Sequence, residues 1–313
     1  TVEHSFYDYG GHSPNPCVFL SAIAARTKRI RLITGAVIPA FHHPAHLAGD
    51  LSMLDNMSNG RLEAGFGRAF LPKEFEVFGV PMSESRARFE EAIGMICRLW
   101  TEDSVTAKGK FWQLEDVHLM PRPLQQPRPR VWIAAISSEE SFTYAARNGF
   151  NIMIVPYAGK PGLLQDYVRM YRKLWADSGH GAGQEQVQMA QFCCVAESRE
   201  QARAGYERIM KRYLETFADA VVSWEGKSSD QYPGYDKMVA SILAMTPQSI
   251  IDNNAAFVGT PEDVIGQIES SIAAFGTIEP SMQINFGGSK TEEALRTLDL
   301  FAQKVMPHFQ NRP

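Results

Sequence analysis

The 313 residues, 44% hydrophobic and 21% charged, have the apolar content to bury one large core, so a single domain is expected over the whole length, 1–313. A net charge of -4 without a basic run or acidic tail leaves a nucleic-acid or membrane-surface partner without support, and no apolar run approaches the roughly 20 residues that span a bilayer. The four cysteines fit neither a disulfide framework nor zinc spacing, and nothing resembles a signal peptide, so the expected setting is the cytoplasm and the expected partner a small molecule.

The chain opens with Thr1 rather than Met, and TVEH reads as the end of a strand whose earlier part is absent. The stretch EHSFYDYGG follows, with a histidine, two tyrosines and paired glycines. Apolar residues at three- and four-residue spacing then predict helices over 16–27 and 44–57, separated by a strand over 29–37. Asn59 and Gly60 supply the left-handed stop before a strand at 61–67, and a helix is predicted over 85–100. Residues 104–130 read as a hairpin and a proline-rich connector.

Strands at 130–136, 151–156, 187–196 and 280–288 alternate with helices at 139–148, 163–178, 200–220, 261–275 and 292–306. Thr260, Pro261, Glu262 and Asp263 form a strong helix start, with a cap, a proline in the first helical position and acids on the positive end of the dipole. Residues 221–257 break the alternation, and WEGKSSDQYPGYDK within them has the glycine and aromatic content of an adjustable lid. The alternation predicts parallel βα units, and the count fits an eight-stranded (β/α)8 barrel with an N-terminal strand and helix missing better than an open doubly wound sheet.

In such a barrel the reactive groups sit at the carboxyl ends of strands. His4 there is able to exchange a proton near neutral pH, or to serve as a structural histidine bonded to backbone. Gly35 and Ala36 are small enough to admit a flat ring, or simply ease a strand into a loop. Arg68, cleared by Gly65 and Gly67, suits bidentate contact with a phosphate or a surface ion pair. SSEES, with Ser137, Ser138 and Ser141, opens a helix whose hydroxyls and N–H groups suit an anion, while Glu139 and Glu140 in the same turn oppose one. FHHPAH brings His42, His43 and His46 close in sequence, but a proline divides them and no carboxylate stands at ligand spacing, so no metal is expected.

Together EHSFYDYG, AARTKRIRLITGAVIPAFHHP, LDNMSNGRLEAGFGRAF, EFEVFGVP, RARFEEAIGMICRLW, VWIAAISSEESFTYAARNG and FVGTPEDVIGQI resemble, in this order, the bacterial luciferase-like monooxygenase family. The resemblance implies a flavin-dependent barrel enzyme that uses reduced FMN and O2 to oxygenate a small or medium-sized organic substrate through a flavin peroxide. It implies that His4 handles protons, with Ser5 where relatives often have a second histidine. Gly35 and Ala36 match the place where relatives press backbone on the isoalloxazine, often through a non-proline cis bond. Arg68, Ser137, Ser138 and Ser141 fall on phosphate-binding positions, and Glu74 on an acidic position close to the site. Gly67 stands near the flavin where bacterial luciferase has a cysteine, so light emission is not expected.

Phe6, Tyr7 and Phe41 would form a partly apolar substrate pocket, covered by residues 221–257. A separate flavin reductase and a homodimer are also implied. The alternatives are a deazaflavin-dependent hydride-transfer enzyme on the same barrel, and a flavin-binding protein without turnover. The family begins with a further strand and helix, which makes EHSFYDYGG the loop after the second barrel strand.

Overall fold

The computed structural model describes residues 1–10, 13–136, 138–158 and 162–310, and the chain divides into two compact units. The first comprises Thr1–Ala134 and Ala220–Met238; the second comprises Ala135–Asp219 and Val239–Pro313.

In the first unit, α1 (Pro16–Arg26) starts where the Asn15 side chain accepts the Val18 N–H and Pro16 occupies the first turn. It leads to β1 (Leu32–Ile33), α2 (Pro44–Ser58) and β2 (Leu62–Phe66). Asn59, with φ 59°, and Gly60, with φ 75°, end α2 as the sequence predicts. All five residues of β2 are buried, as befits a parallel strand covered on both faces. Buried Arg61 donates to the carbonyls of Ala24, Thr27, Ile30 and Ser58, tying the ends of α1 and α2 to the start of β2.

Next come α3 (Pro72–Phe78), α4 (Ser85–Thr101), the antiparallel hairpin of β3 (Val105–Lys108) and β4 (Gln113–Val117), and β5 (Arg130–Ala134). The strands β1, β2 and β5 are parallel neighbours in that order, with Leu32 opposite Leu62 and Glu63 opposite Arg130.

Strand β1 is shorter than the predicted 29–37 because the ladder is interrupted after Ile33. The Thr34 hydroxyl takes the Gly65 N–H at 2.7 Å, and the chain rejoins only at a bridge between Val37 and Phe66. Residues 1–3 run along this interruption. Thr1 N donates to Ile33 O at 3.1 Å, Gly35 N to Thr1 O at 2.6 Å, and Glu3 N to Ala36 O at 3.0 Å, so residues 1–3 lie beside β1 without forming the predicted strand end.

The second unit contains α5 (Glu139–Arg147), β6 (Asn151–Ile154), α6 (Leu163–Asp177), β7 (Val187–Val195) and α7 (Arg199–Val221). After them come α8 (Met238–Leu243), α9 (Pro247–Asp252), β8 (Ala256–Gly259), α10 (Pro261–Phe275), β9 (Glu279–Gln283), α11 (Thr291–Leu300), a wider turn at Phe301–Val305, and α12 (Met306–Gln310). β7 pairs in parallel with β6, β8 and β9. The predicted start of α10 is a full capping box between Thr260 and Asp263, and its apolar stripe packs Val264 and Ile268 against Cys193, Val195 and Phe257.

Three elements were not anticipated between 221 and 257: α8, α9 and the start of β8 occupy much of what reads as one long loop. Each is six residues or fewer, too short for a periodic signal.

Candidate active site

The carboxyl ends of β1 and β2 carry most of the candidate residues. His4 is mostly buried, and its Nδ1 lies 3.2 Å from Glu74 Oε1; the Ser5 N–H donates to the same oxygen at 3.2 Å. Glu74 is presented by the first turn of α3, where the helix dipole favours a carboxylate, and only 2% of its surface is exposed. Its second oxygen, Oε2, is buried with no hydrogen-bond partner among the described residues. An ionised Glu74 only accepts, so in the pair with it His4 Nδ1 is the donor and Nε2 is the ring nitrogen that does not face Glu74.

The rings of Tyr9 and Phe70 stand 5.0 and 5.8 Å from the imidazole. Gly10, with φ 87°, closes the turn beneath it: a Cβ there would lie 2.5 Å from His4 Cδ2. This accounts for one glycine of the EHSFYDYGG motif.

The Gly35–Ala36 peptide is cis. Nearby, a Cβ on Gly67 would meet Ala36 Cβ at 3.2 Å and Ile38 Cδ1 at 3.6 Å, so Gly35, Ala36 and Gly67 make a surface of minimal side chains at the ends of two adjacent strands. Glu3, which the sequence reading passed over, is buried against this surface. Its Oε2 accepts the Ile38 N–H at 2.7 Å and its Oε1 lies 2.7 Å from His42 Nε2. Burial works against a charged His42, but the Glu3 carboxylate, with Asp50 adding to it, outweighs that and raises the pKa of His42 above its ordinary range. His43 instead caps α2 by accepting the Ala45 N–H, and its ring stands edge-on to that of His46.

Arg68 donates through Nη2 to Gln231 O at 3.2 Å, and its guanidinium lies over the Tyr232 ring, 4.8 Å from the centroid. The same segment is attached at neighbouring points. Tyr232 donates its hydroxyl to Ala69 O, Trp224 donates Nε1 to Phe70 O at 2.8 Å, and Lys227 pairs with Glu76. Burial pushes the Tyr232 phenol up to about 12 despite the opposing charge of Arg68. Part of the segment read as an adjustable lid is therefore fastened to residues 68–76 of its own unit, by contacts more than 150 positions apart in sequence.

Phe41 packs on Phe78 at 4.7 Å and on Phe75 at 5.2 Å, and Phe78 on Phe6 at 5.5 Å. Phe6 and Phe41 thus share an aromatic wall with two rings of α3 that the sequence reading did not single out; Tyr7 is half-buried. In the second unit Ser138 precedes α5 and its hydroxyl donates to Glu140 at 2.6 Å, while the buried Ser141 lies 3.5 Å from Ser138 Oγ. Ser137 lies outside the described residues.

The pattern that defines the family described as luciferase-like monooxygenase matches residues 1–277. The oxygenase component of the flavin-dependent trigonelline monooxygenase of Acinetobacter baylyi is 29% identical over 304 residues, covering 95% of this chain and 81% of that one. The crystal structure of a monooxygenase from Streptomyces bottropensis matches with a TM-score of 0.87 at 39% identity, covering 99% of this chain and 87% of that one. The oxygenating constituent of 3,6-diketocamphane monooxygenase from Pseudomonas putida, a Baeyer-Villiger enzyme in complex with FMN, matches at 0.79 and 17% identity, covering 98% and 87%; at that identity the likeness is one of fold. The fold class is accordingly the predicted (β/α)8 barrel. With the family pattern over most of its length and the expected order of parallel βα units, the chain belongs to the luciferase-like monooxygenase family.

Proposed function

We propose that the chain is the oxygenase of a two-component monooxygenase, taking reduced FMN from a separate flavin reductase and inserting one atom of O2 into a small organic substrate. The observation that carries the reading is the buried His4–Glu74 pair beside the small-residue surface of Gly35, Ala36 and Gly67. Those residues fit a flavin: Gly35, Ala36 and Gly67 keep side-chain bulk at the strand ends to a minimum, and Glu74 Oε2 is a buried acceptor that a ligand donor would complete. When bound, reduced FMN supplies the two electrons that divide O2 between the substrate and water.

The chain's own residues do the rest. Glu74 holds the imidazole by Nδ1, so that His4 takes or returns a proton at Nε2. Arg68 offers a guanidinium to the phosphate, and in the second unit Ser138 and Ser141 carry hydroxyls that suit an anion. Phe6, Tyr7 and Phe41 form the apolar side of the substrate pocket, with Phe75 and Phe78 behind them. The stitched segment carrying Trp224 and Tyr232 covers residues 68–70 and limits entry of water there. The enzyme works in the cytoplasm as a homodimer.

The test is an anaerobic titration with reduced FMN and, in parallel, with a reduced deazaflavin, followed by oxygen uptake across a substrate panel. Tight binding of reduced FMN with substrate-dependent uptake is expected. Hydride transfer from the deazaflavin without oxygen uptake would replace the reading, and binding without any uptake would reduce it to a flavin carrier.

A further inference from the structure

Glu3 and His4 are consecutive, and beside a strand consecutive side chains leave on opposite faces. His4 meets Glu74 of α3, whereas Glu3 meets the loop that follows β1. Its contacts there are three: its N–H donates to Ala36 O at 3.0 Å, its Oε2 accepts the Ile38 N–H at 2.7 Å, and its Oε1 lies 2.7 Å from His42 Nε2. One residue therefore holds residues 36–42 at three points, its backbone on Ala36 and its carboxylate on Ile38 and His42. The grip matters because only Val37 of this loop bonds back to β2, leaving the N–H of Ile38 outside the ladder, and the next residue, Pro39, has no N–H to offer.

We propose that Glu3 is a positioning residue for the flavin: its carboxylate holds residues 35–38 in the arrangement that receives the ring, and His42 holds Glu3. The inference rests on the flavin reading above. An ionised carboxylate accepts at both oxygens, which is what Ile38 N–H and a protonated His42 require. A glutamine has one accepting oxygen. With that oxygen kept on Ile38, its NH2 group faces His42 and is tolerated only when His42 Nε2 is bare. The charge that acts on His42 besides Glu3 is that of Asp50 of α2; Cys17 of α1 is near Glu3 and Asp50, but its thiol, pushed up to about 12 by burial, stays neutral.

The experiment measures the dissociation constant for reduced FMN anaerobically in the full chain, for the wild type, Glu3→Ala, Glu3→Gln and Glu63→Gln, at about pH 6 and about pH 8.5. Glu3→Ala is expected to weaken binding about tenfold or more at either pH, the loss of one charge-assisted hydrogen bond. Glu3→Gln is expected to bind within roughly threefold of the wild type at both pH values, because without the Glu3 charge burial keeps His42 Nε2 bare and the amide NH2 donates to it. Glu63→Gln, a buried carboxylate at the other end of β2, is expected to lower stability with the constant unchanged, separating positioning from general damage. Wild-type affinity in Glu3→Ala overturns the proposal. So does a glutamine variant that loses affinity equally at both pH values, even if the alanine variant fails to fold. A wild-type protein that binds no reduced flavin overturns the flavin reading beneath it, a distinct outcome.

Discussion

Two buried glutamates in the same unit differ in one respect. Glu63, at the amino-terminal end of β2, receives Arg31, both Arg130 Nε contacts at 3.0 Å, and Trp132 Nε1 at 2.8 Å, so both oxygens are satisfied. Glu74, beyond the carboxyl end of the same strand, has two donors on one oxygen and none on the other among the described residues. A buried carboxylate oxygen without a partner is costly, so its persistence marks a place where the fold leaves bonding capacity for something else. On the proposed reading, stability and chemistry are separated along the strand, as a β/α barrel allows.

The largest expected effect sharpens this contrast at the chemical end. His4→Ala should lower substrate-dependent oxygen uptake about 100-fold or more while FMN affinity changes little, since proton transfer by a positioned imidazole contributes on that scale. Comparable losses in both quantities would make His4 a binding residue. At the opposite end, Glu63→Ala should cost about 3 kcal/mol in denaturant unfolding, leaving two arginines and an indole without their common acceptor. Glu74→Gln should cost under about 1 kcal/mol yet depress turnover, because only one of its oxygens is engaged. If Glu74→Gln proved the more destabilising of the two, the contrast would be wrong.

Gly10→Ala comes next. A positive φ and a Cβ 2.5 Å from the His4 ring should cost about 2 kcal/mol and displace the imidazole, detectable as lost turnover in a still-folded protein. The smallest effect concerns His42. Its pKa is raised in the folded state, so the pair with Glu3 contributes fully below the ordinary histidine value of about 6.5 and is lost as pH rises through the raised value. The imidazole is 34% exposed and screened, so the stability gap between wild type and His42→Gln should be under about 1 kcal/mol at pH 6 and shrink above it. A gap that widened with pH would reverse the assignment.

How much of this was legible beforehand depended on range. Helix α10 falls on its predicted bounds, and α2 stops at Asn59 and Gly60, because caps and left-handed residues are local signals. The 104–130 hairpin was also readable. The seven-residue α3 was not, although Pro72 and Gly79 bracket it. Residues separated by long stretches were legible only as isolated candidates. His4 and Glu74 are 70 positions apart, and their association came from family resemblance rather than from spacing. Glu3 and His42, 39 apart, were missed, and His42 was weighed as a metal ligand because its carboxylate partner lay outside any local window. The stitching of Trp224 and Tyr232 to residues 69 and 70 likewise has no sequence signature. Those contacts are tertiary, which propensity does not encode.

The most direct test of the central claim is a crystal structure of the protein with FMN bound. The account predicts the ring against Ala36 and Gly67, a flavin or substrate donor on Glu74 Oε2, and the phosphate on Arg68. A flavin seated elsewhere, with Glu74 Oε2 still unpaired and Arg68 still donating to Gln231, would contradict it.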